Sequence, residues 1–407
     1  MHLRKIMIAM LIAVATIAAG CGDSSSGDSA TTDGSGGVRP SGTPVKVGVI
    51  CSCSGSFGKT IDAAGKVTEA WAKSVNAAGG INGHPVELTK YDDAGNPGTS
   101  VTKAQALISA KVDVILDLTP LDAAWGAAAA AAKIPVVGGE LNSSLFIKYP
   151  NAYASGQTAS ALPFSVIATA KLAGAKNVGI LYCAESPSCQ ETVPGIKAAG
   201  DRQGIPVAYS ASISATAANY TAQCVAAKQA HVDALYIAHS ASILQNVATD
   251  CDRQGYNPSF LEAGTGFQLA LADTPGLKDH LWMTFPILPF FVDQPPARAM
   301  NTVLDKYYPG LREDRTWSTF ASQAWTGGLL IESAVRASGA GANDELSAEI
   351  LTKGFTSVKD DNLGGWSAPL TFKAGQANPV NCSFTARLQD GKALLVDDGK
   401  LVCDKSS

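Results

Sequence analysis

Val45-Lys46-Val47-Gly48-Val49-Ile50, a Gly and Ser turn, an Ala-rich segment from Ile61 to Ala78 closed by Gly79-Gly80, and then Val86 to Lys90 decide the fold. A short β-branched run reads as a strand, because branched side chains suit a pleated surface. The segment after it is rich in helix formers and ends on glycines, which stop helices at little steric cost. A strand that follows such a helix pairs parallel to the first, since the crossover returns the chain to the same end of the sheet. Outward from this unit the motif recurs. Ser100 to Ala110 reads as a helix, and Val112 to Leu118, Ile134 to Val137, Val178 to Tyr182, Val207 to Ser210, Ala234 to Ala238 and Phe260-Leu261 read as further strands with helices between them. Strands alternating with helices imply parallel βαβ units covered on both faces. The expectation is an α/β fold of two doubly wound parallel-sheet lobes, with Tyr149 to Gln157 as the first crossing. Trp282, Phe285, Phe290 and Phe291 gather at the expected second crossing and read as hinge core.

The 407 residues carry 31 Lys and Arg against 35 Asp and Glu, with no long basic run. A chain of net charge -4 lacks the basic stripe that grips a phosphate backbone, so no nucleic-acid partner is expected. Arg4 and Lys5 precede an apolar run from Ile6 to Ala19, which is short of the roughly 20 residues that span a bilayer. This reads as an export signal over 1–20. Ala18-Ala19-Gly20-Cys21 resembles a lipobox, making Cys21 a lipidated anchor outside the cytoplasm. Residues 21–43 are mostly Gly, Ser, Asp and Thr, a flexible tether that holds the folded part about 25 Å from the membrane.

Nine cysteines less the anchor leave eight, an even number in a chain sent to an oxidising compartment, so disulfides are expected. Cys183 and Cys189 can close a short loop, Cys224 and Cys251 lie on consecutive helices, and Cys382 and Cys403 flank a C-terminal meander. Sequence alone does not fix these pairings, and Cys51 and Cys53 are left over. Neither CxxC nor HExxH occurs and the histidines are scattered, so no metal is expected, and no motif calls for a cofactor. The absence of GxSxG and GxxxxGK[ST] argues against an enzyme.

Open parallel sheets bind ligands at the carboxyl ends of their strands. Three such turns are readable. Cys51 to Lys59 contains Phe57, which reads as a cleft residue. Thr119 is placed to cap a helix with Pro120 at its first position and Asp122 in its first turn. Gly138 to Ser144 has glycines for close backbone approach and contains Glu140 and Asn142. Glu140 is a partner for a ligand cation, or else a solvated carboxylate or one paired with Lys148. Trp125 is an apolar wall of the site, or else packing beneath the loop. Asp92 and Asp93 read as turn formers.

These residues resemble the type I periplasmic solute-binding proteins that serve branched-chain amino acid ABC importers. The likeness is carried by Val45 to Ile50 with Ser54-Gly55, by Asn76-Ala77-Ala78-Gly79-Gly80-Ile81-Asn82-Gly83-His84-Pro85-Val86-Glu87-Leu88 with Tyr91-Asp92-Asp93-Ala94, and by Ile134 to Val137, Asn219 to Cys224 and Arg253-Gln254-Gly255-Tyr256. It implies lobes of 44–156 plus 286–366 and of 157–285 plus 367–407, joined by a three-strand hinge. It also implies a monomer that traps a small molecule in its cleft and delivers it to a membrane permease. In that family a hydroxyl and backbone N–H groups after the third strand hold the ligand carboxylate. The matching turn here offers Thr119 and Leu121, and the next offers Glu140 and Asn142. The second lobe would contribute Ser186-Pro187, His239-Ser240 and Ala263-Gly264-Thr265, with His239, Ser240 and Gly264 as site residues. The Glu that pairs with a ligand ammonium has no counterpart in those stretches. Together with Phe57 and Trp125, this sets a small apolar or aromatic acid or amide beside the branched-chain and other hydrophobic amino acids as the expected ligand. A membrane-tethered sensor of the same fold is the alternative function.

Overall fold

The computed structural model of the protein describes residues 40–405 apart from 186, 316 and 317. The expected export signal, Cys21 and most of the tether lie outside the described residues. The chain joins the fold at Gly42 and Thr43, whose N–H groups bond the carbonyls of Gly83 and Ala342.

The first sheet contains β1 (Val45–Cys51), β2 (Val86–Asp92), β3 (Val114–Leu118), β4 (Val136–Gly138) and β5 (Ala152–Tyr153), all parallel, in the order β2-β1-β3-β4-β5. Helices α1 (Gly58–Ala77), α2 (Pro97–Ser109), α3 (Gly126–Ala131) and α4 (Leu145–Lys148) connect them. The Gly79-Gly80 stop behaves as its sequence predicts. Gly80 has φ 79°, and a Cβ there would lie 2.3 Å from the His84 carbonyl, so the tight return from α1 to β2 admits no side chain.

The second sheet contains β6 (Val178–Cys183), β7 (Val207–Ile213), β8 (Ala234–Ala238), β9 (Ser259–Glu262) and β10 (Leu281–Phe285) in the parallel order β7-β6-β8-β9-β10. This repeats the order of the first sheet. Helices α5 (Leu162–Leu172), α6 (Pro187–Gln203), α7 (Thr221–Gln229) and α8 (Ala241–Arg253) belong to it. The chain then crosses back and adds α9 (Pro295–Tyr307), α10 (Thr319–Ser338) and α11 (Ala348–Ser357) to the first lobe, where α10 packs on α1, β3, β4 and α11. A last crossing returns it to the second sheet as β11 (Cys382–Gln389) and β12 (Lys392–Leu395), an antiparallel extension of β10, with β13 (Val402–Cys403) pairing the start of β11.

Three segments therefore run between the lobes, tied to one another by Gln157 N–H to Pro286, Thr158 N–H to Val380 and Leu288 N–H to Trp366 carbonyls. Beside them Phe285, Phe290 and Phe291 form an edge-to-face cluster with Phe267. Trp282, three residues before Phe285 on β10, is half-buried under the Arg387 guanidinium. Disulfides join Cys51 to Cys53, Cys183 to Cys189, Cys224 to Cys251 and Cys382 to Cys403.

Candidate functional site

Each sheet has the strand order in which the chain reverses direction beside its first strand, so each lobe has a crevice at the carboxyl ends of two strands. The second lobe's crevice, between β6 and β8, is open. It forms a cavity of about 600 Å³ walled by Cys183, Glu185 and Cys189 after β6, by Tyr236 to Ala241 at the end of β8, and by Glu262 at the end of β9. Leu162, Pro163 and Ile196 make its apolar floor. Asn142 and Phe320 close it from the first lobe. Phe320 is placed there by the start of α10, where Thr319 Oγ1 donates to the Gly264 carbonyl at 2.6 Å and Gln268 bridges Ser318.

At the cavity's edge His239 and Glu185 make an oriented pair. The Ser240 N–H donates to His239 Nδ1 at 2.8 Å, which leaves Nε2 to donate to Glu185 Oε2 at 3.3 Å. Glu185 also accepts from the Ala215 N–H and the Ser214 hydroxyl, and the backbone donor above all holds its carboxyl down at about 2. Glu262 is different. It is 6 % exposed, no donor among the described residues reaches its Oε2, and burial pushes its carboxyl up to about 8.

The first lobe's crevice, between β1 and β3, is filled. Asp93 Oδ2 accepts from the Thr119 hydroxyl at 2.6 Å and Asp93 Oδ1 from the Ser52 hydroxyl at 2.7 Å, and all three side chains are buried. Thr119 Oγ1 also takes the Leu121 N–H at 3.2 Å. This bond makes a local turn, so the helix expected to start at Thr119-Pro120 does not. A single 3₁₀ turn forms at Asp122–Ala124 and α3 begins only at Gly126. The hydroxyl meant to cap that helix is drawn instead to the buried Asp93 carboxylate.

Behind this turn lies a group of carboxyls. Burial pushes Asp117 well above its ordinary range, with Asp122 and Glu140 adding like charge. Burial also raises Asp122. Glu140, 6 % exposed, is pushed up to about 8 by burial and then by the charge of Asp122, and its Oε1 accepts the Asn142 N–H at 3.2 Å. It makes no ion pair with Lys148, whose ammonium lies over the Tyr149 ring.

Of the residues expected at the site, the cavity brings together Asn142, His239 and Ser240. Phe57 packs half-buried against the first lobe's core and Trp125 is buried beneath its loop, so neither faces the cavity. Thr119, Leu121 and Glu140 stand at the filled crevice, and Gly264 serves through its carbonyl as a contact between lobes. Asp92 and Asp93 accept from their own downstream N–H groups, Ala94 and Gly95, as turn formers do. One residue before Ala263-Gly264-Thr265, where no carboxyl was expected, Glu262 lines the cavity. Its signal was a carboxylate ending an apolar, fully covered strand, where burial is costly without a purpose. Glu185, Tyr236 and Phe320 carried no pattern in sequence that marked them.

The sequence pattern of a periplasmic binding protein matches residues 44–393. The chain belongs to the periplasmic binding protein family. This is a family of binding proteins, not of enzymes, and no group of His, Cys, Asp and Glu among the described residues is arranged to hold a metal. Among solved structures, a branched-chain amino acid ABC transporter from Thermus thermophilus with bound valine shares 15% identity over 89% of this chain and 97% of its own, with a TM-score of 0.74. A fatty acid ABC transporter substrate-binding protein from Thermomonospora curvata shares 17% over 91% and 95%, at 0.71. An R. palustris ABC transporter solute-binding protein in complex with 4-hydroxybenzoate shares 20% over 89% and 98%, at 0.69. At these identities the likeness is one of fold. No curated protein matches this periplasmic binding protein in sequence.

Proposed function

We propose that this periplasmic binding protein captures a small solute with an apolar body in the cavity between its lobes and presents it to an ABC permease. The observation that carries the reading is the open crevice after β6 and β8, whose walls come mainly from one lobe and are completed by Asn142 and Phe320 of the other. The two closing bodies are 44–156 with 286–366, and 157–285 with 367–407. Proteins of the same fold, among them one with bound valine, one in complex with 4-hydroxybenzoate and a fatty acid ABC transporter substrate-binding protein, accord with a small apolar solute. A thermal-shift screen of small apolar amino acids, acids, amides and amines tests the proposal. A tight ligand at 100 times its dissociation constant adds about 2.7 kcal/mol to native stability. Filling the cavity with Ala238→Trp is expected to abolish the shift, and a hit that this variant still binds would place the ligand elsewhere.

The protein acts as a monomer held to the membrane through lipidated Cys21. Support comes from the residues themselves, Ala19-Gly20-Cys21 followed by a polar tether, and no helix among the described residues is long and apolar enough to cross a membrane. Cys21→Ser should move the protein from the membrane to the soluble fraction of its host. Equal membrane retention of parent and variant would refute the anchor.

A further inference from the structure

The cavity has an unusual balance of charge. Its walls contain Glu185, Glu262 and His239, and no Lys or Arg among the described residues lines it. Glu185 is already held by Ala215, Ser214 and His239. Glu262 is not held in this way. Its Oε2 is buried with no donor, in a chain where most buried polar atoms find one, and it stands at a cavity wall, where a ligand can supply what the protein does not. The opposite wall offers no cation either. Asn142 comes from the first lobe, and its N–H is bound by Glu140, the outermost of the three buried carboxyls that include Asp117 and Asp122.

We infer that the solute is a small organic cation, an ammonium group on an apolar body with no carboxylate, and that Glu262 is the residue that selects it. This deepens the cavity reading above and rests on it. An ammonium supplies the donor missing at Oε2 and a positive charge that draws the proton off the Glu262 carboxyl, which burial alone pushes up to about 8. A carboxylate entering the same space meets the Glu185 carboxylate and no Lys or Arg among the lining residues, and it would be desolvated there without a counter-charge. An α-amino acid brings the favourable group and the unfavourable one together. The apolar body fits the floor of Leu162, Pro163 and Ile196 and the Tyr236 and Phe320 rings.

Three matched sets test this by isothermal titration: isoamylamine and phenethylamine, leucine and phenylalanine, isovalerate and phenylacetate. The amines are expected to bind the parent at least tenfold more tightly than the amino acids or acids. Glu262→Gln, a neutral isostere that keeps the packing, should weaken the amines at least tenfold while its circular dichroism and melting temperature remain those of a folded protein. Glu185→Gln, whose carboxylate is already occupied, should cost less. Tighter binding of the acids or amino acids would overturn the inference and leave the cavity reading intact, as would amine binding that survives Glu262→Gln unchanged. Binding by none of the three sets overturns the amine assignment, and the cavity then stands or falls by the wider screen with Ala238→Trp.

Discussion

Glu140 shows at the scale of one residue how burial writes itself into pH dependence. In the unfolded chain its carboxyl titrates near 4.5, and in the folded protein, taken out of water and facing the charge of Asp122, it is pushed up to about 8. Between those values the folded state holds a proton that the unfolded state has lost. Its contribution is therefore fully present below about pH 4.5 and is lost as pH rises through about 8. Glu262 has the same direction and the same window, whereas Glu185, held down at about 2, titrates below it. The melting temperature is expected to fall from pH 5 to pH 9, and Glu140→Gln, which cannot ionise, should flatten that fall. Calorimetry of both proteins across the range checks this, and parallel curves for parent and variant would show that Glu140 titrates normally. None of this was legible beforehand. A Glu after two glycines looks like a loop carboxylate, and only the closure of the Asn142 turn over it, with α10 behind, takes it out of water.

Elements were the most legible part of the sequence, and the reason is periodicity. Val45 to Ile50 and Ile61 to Ala78 announced β1 and α1 because apolar spacing and the Gly79-Gly80 stop agree with each other, and local agreement of this kind is what a foldable sequence carries. Where a competing local bond exists, the reading failed. Thr119-Pro120 has good helix-start chemistry, but the Thr119 hydroxyl has a buried carboxylate within 2.6 Å, supplied by Asp93 from the turn after another strand. That is a tertiary contact no window of sequence contains. The packing of α10 was equally hidden. Gly354 lets α11 lie so close that a Cβ there would come within 2.1 Å of the Ala334 carbonyl, and Gly328 does the same against the Trp71 ring. These glycines read as helix weakeners in sequence and act as contact points in space. The site was half legible for the same reason. Strand ends are predictable, so Asn142, His239 and Ser240 fall at the cavity, whereas the choice of which crevice stays open depends on the Ser52, Asp93 and Thr119 side chains meeting in three dimensions.

At the scale of the whole molecule, two lobes of the same strand order face one another with one crevice filled and one open, and this asymmetry dictates the order of events. Most of the cavity's lining belongs to the second lobe, so a solute is expected to dock there first and the first lobe to follow with Asn142 and Phe320. The three crossing segments are linked by single backbone bonds between neighbours and not by a continuous ladder, which allows their dihedrals to absorb a rotation. A solute shifts such an equilibrium only by its differential affinity for the closed form, and that difference must come from the first-lobe wall. Phe320 is the large apolar side chain of that wall and is expected to supply most of it. Small-angle scattering should show a smaller radius of gyration when the parent is saturated with a ligand from the screen. Phe320→Ala, saturated equally by raising the ligand concentration, should bind at least tenfold more weakly, about 1.4 kcal/mol, and contract less. Equal contraction in parent and variant would mean that closure is driven from the second lobe alone, and an unchanged radius in the parent would mean that the lobes do not close on their solute at all.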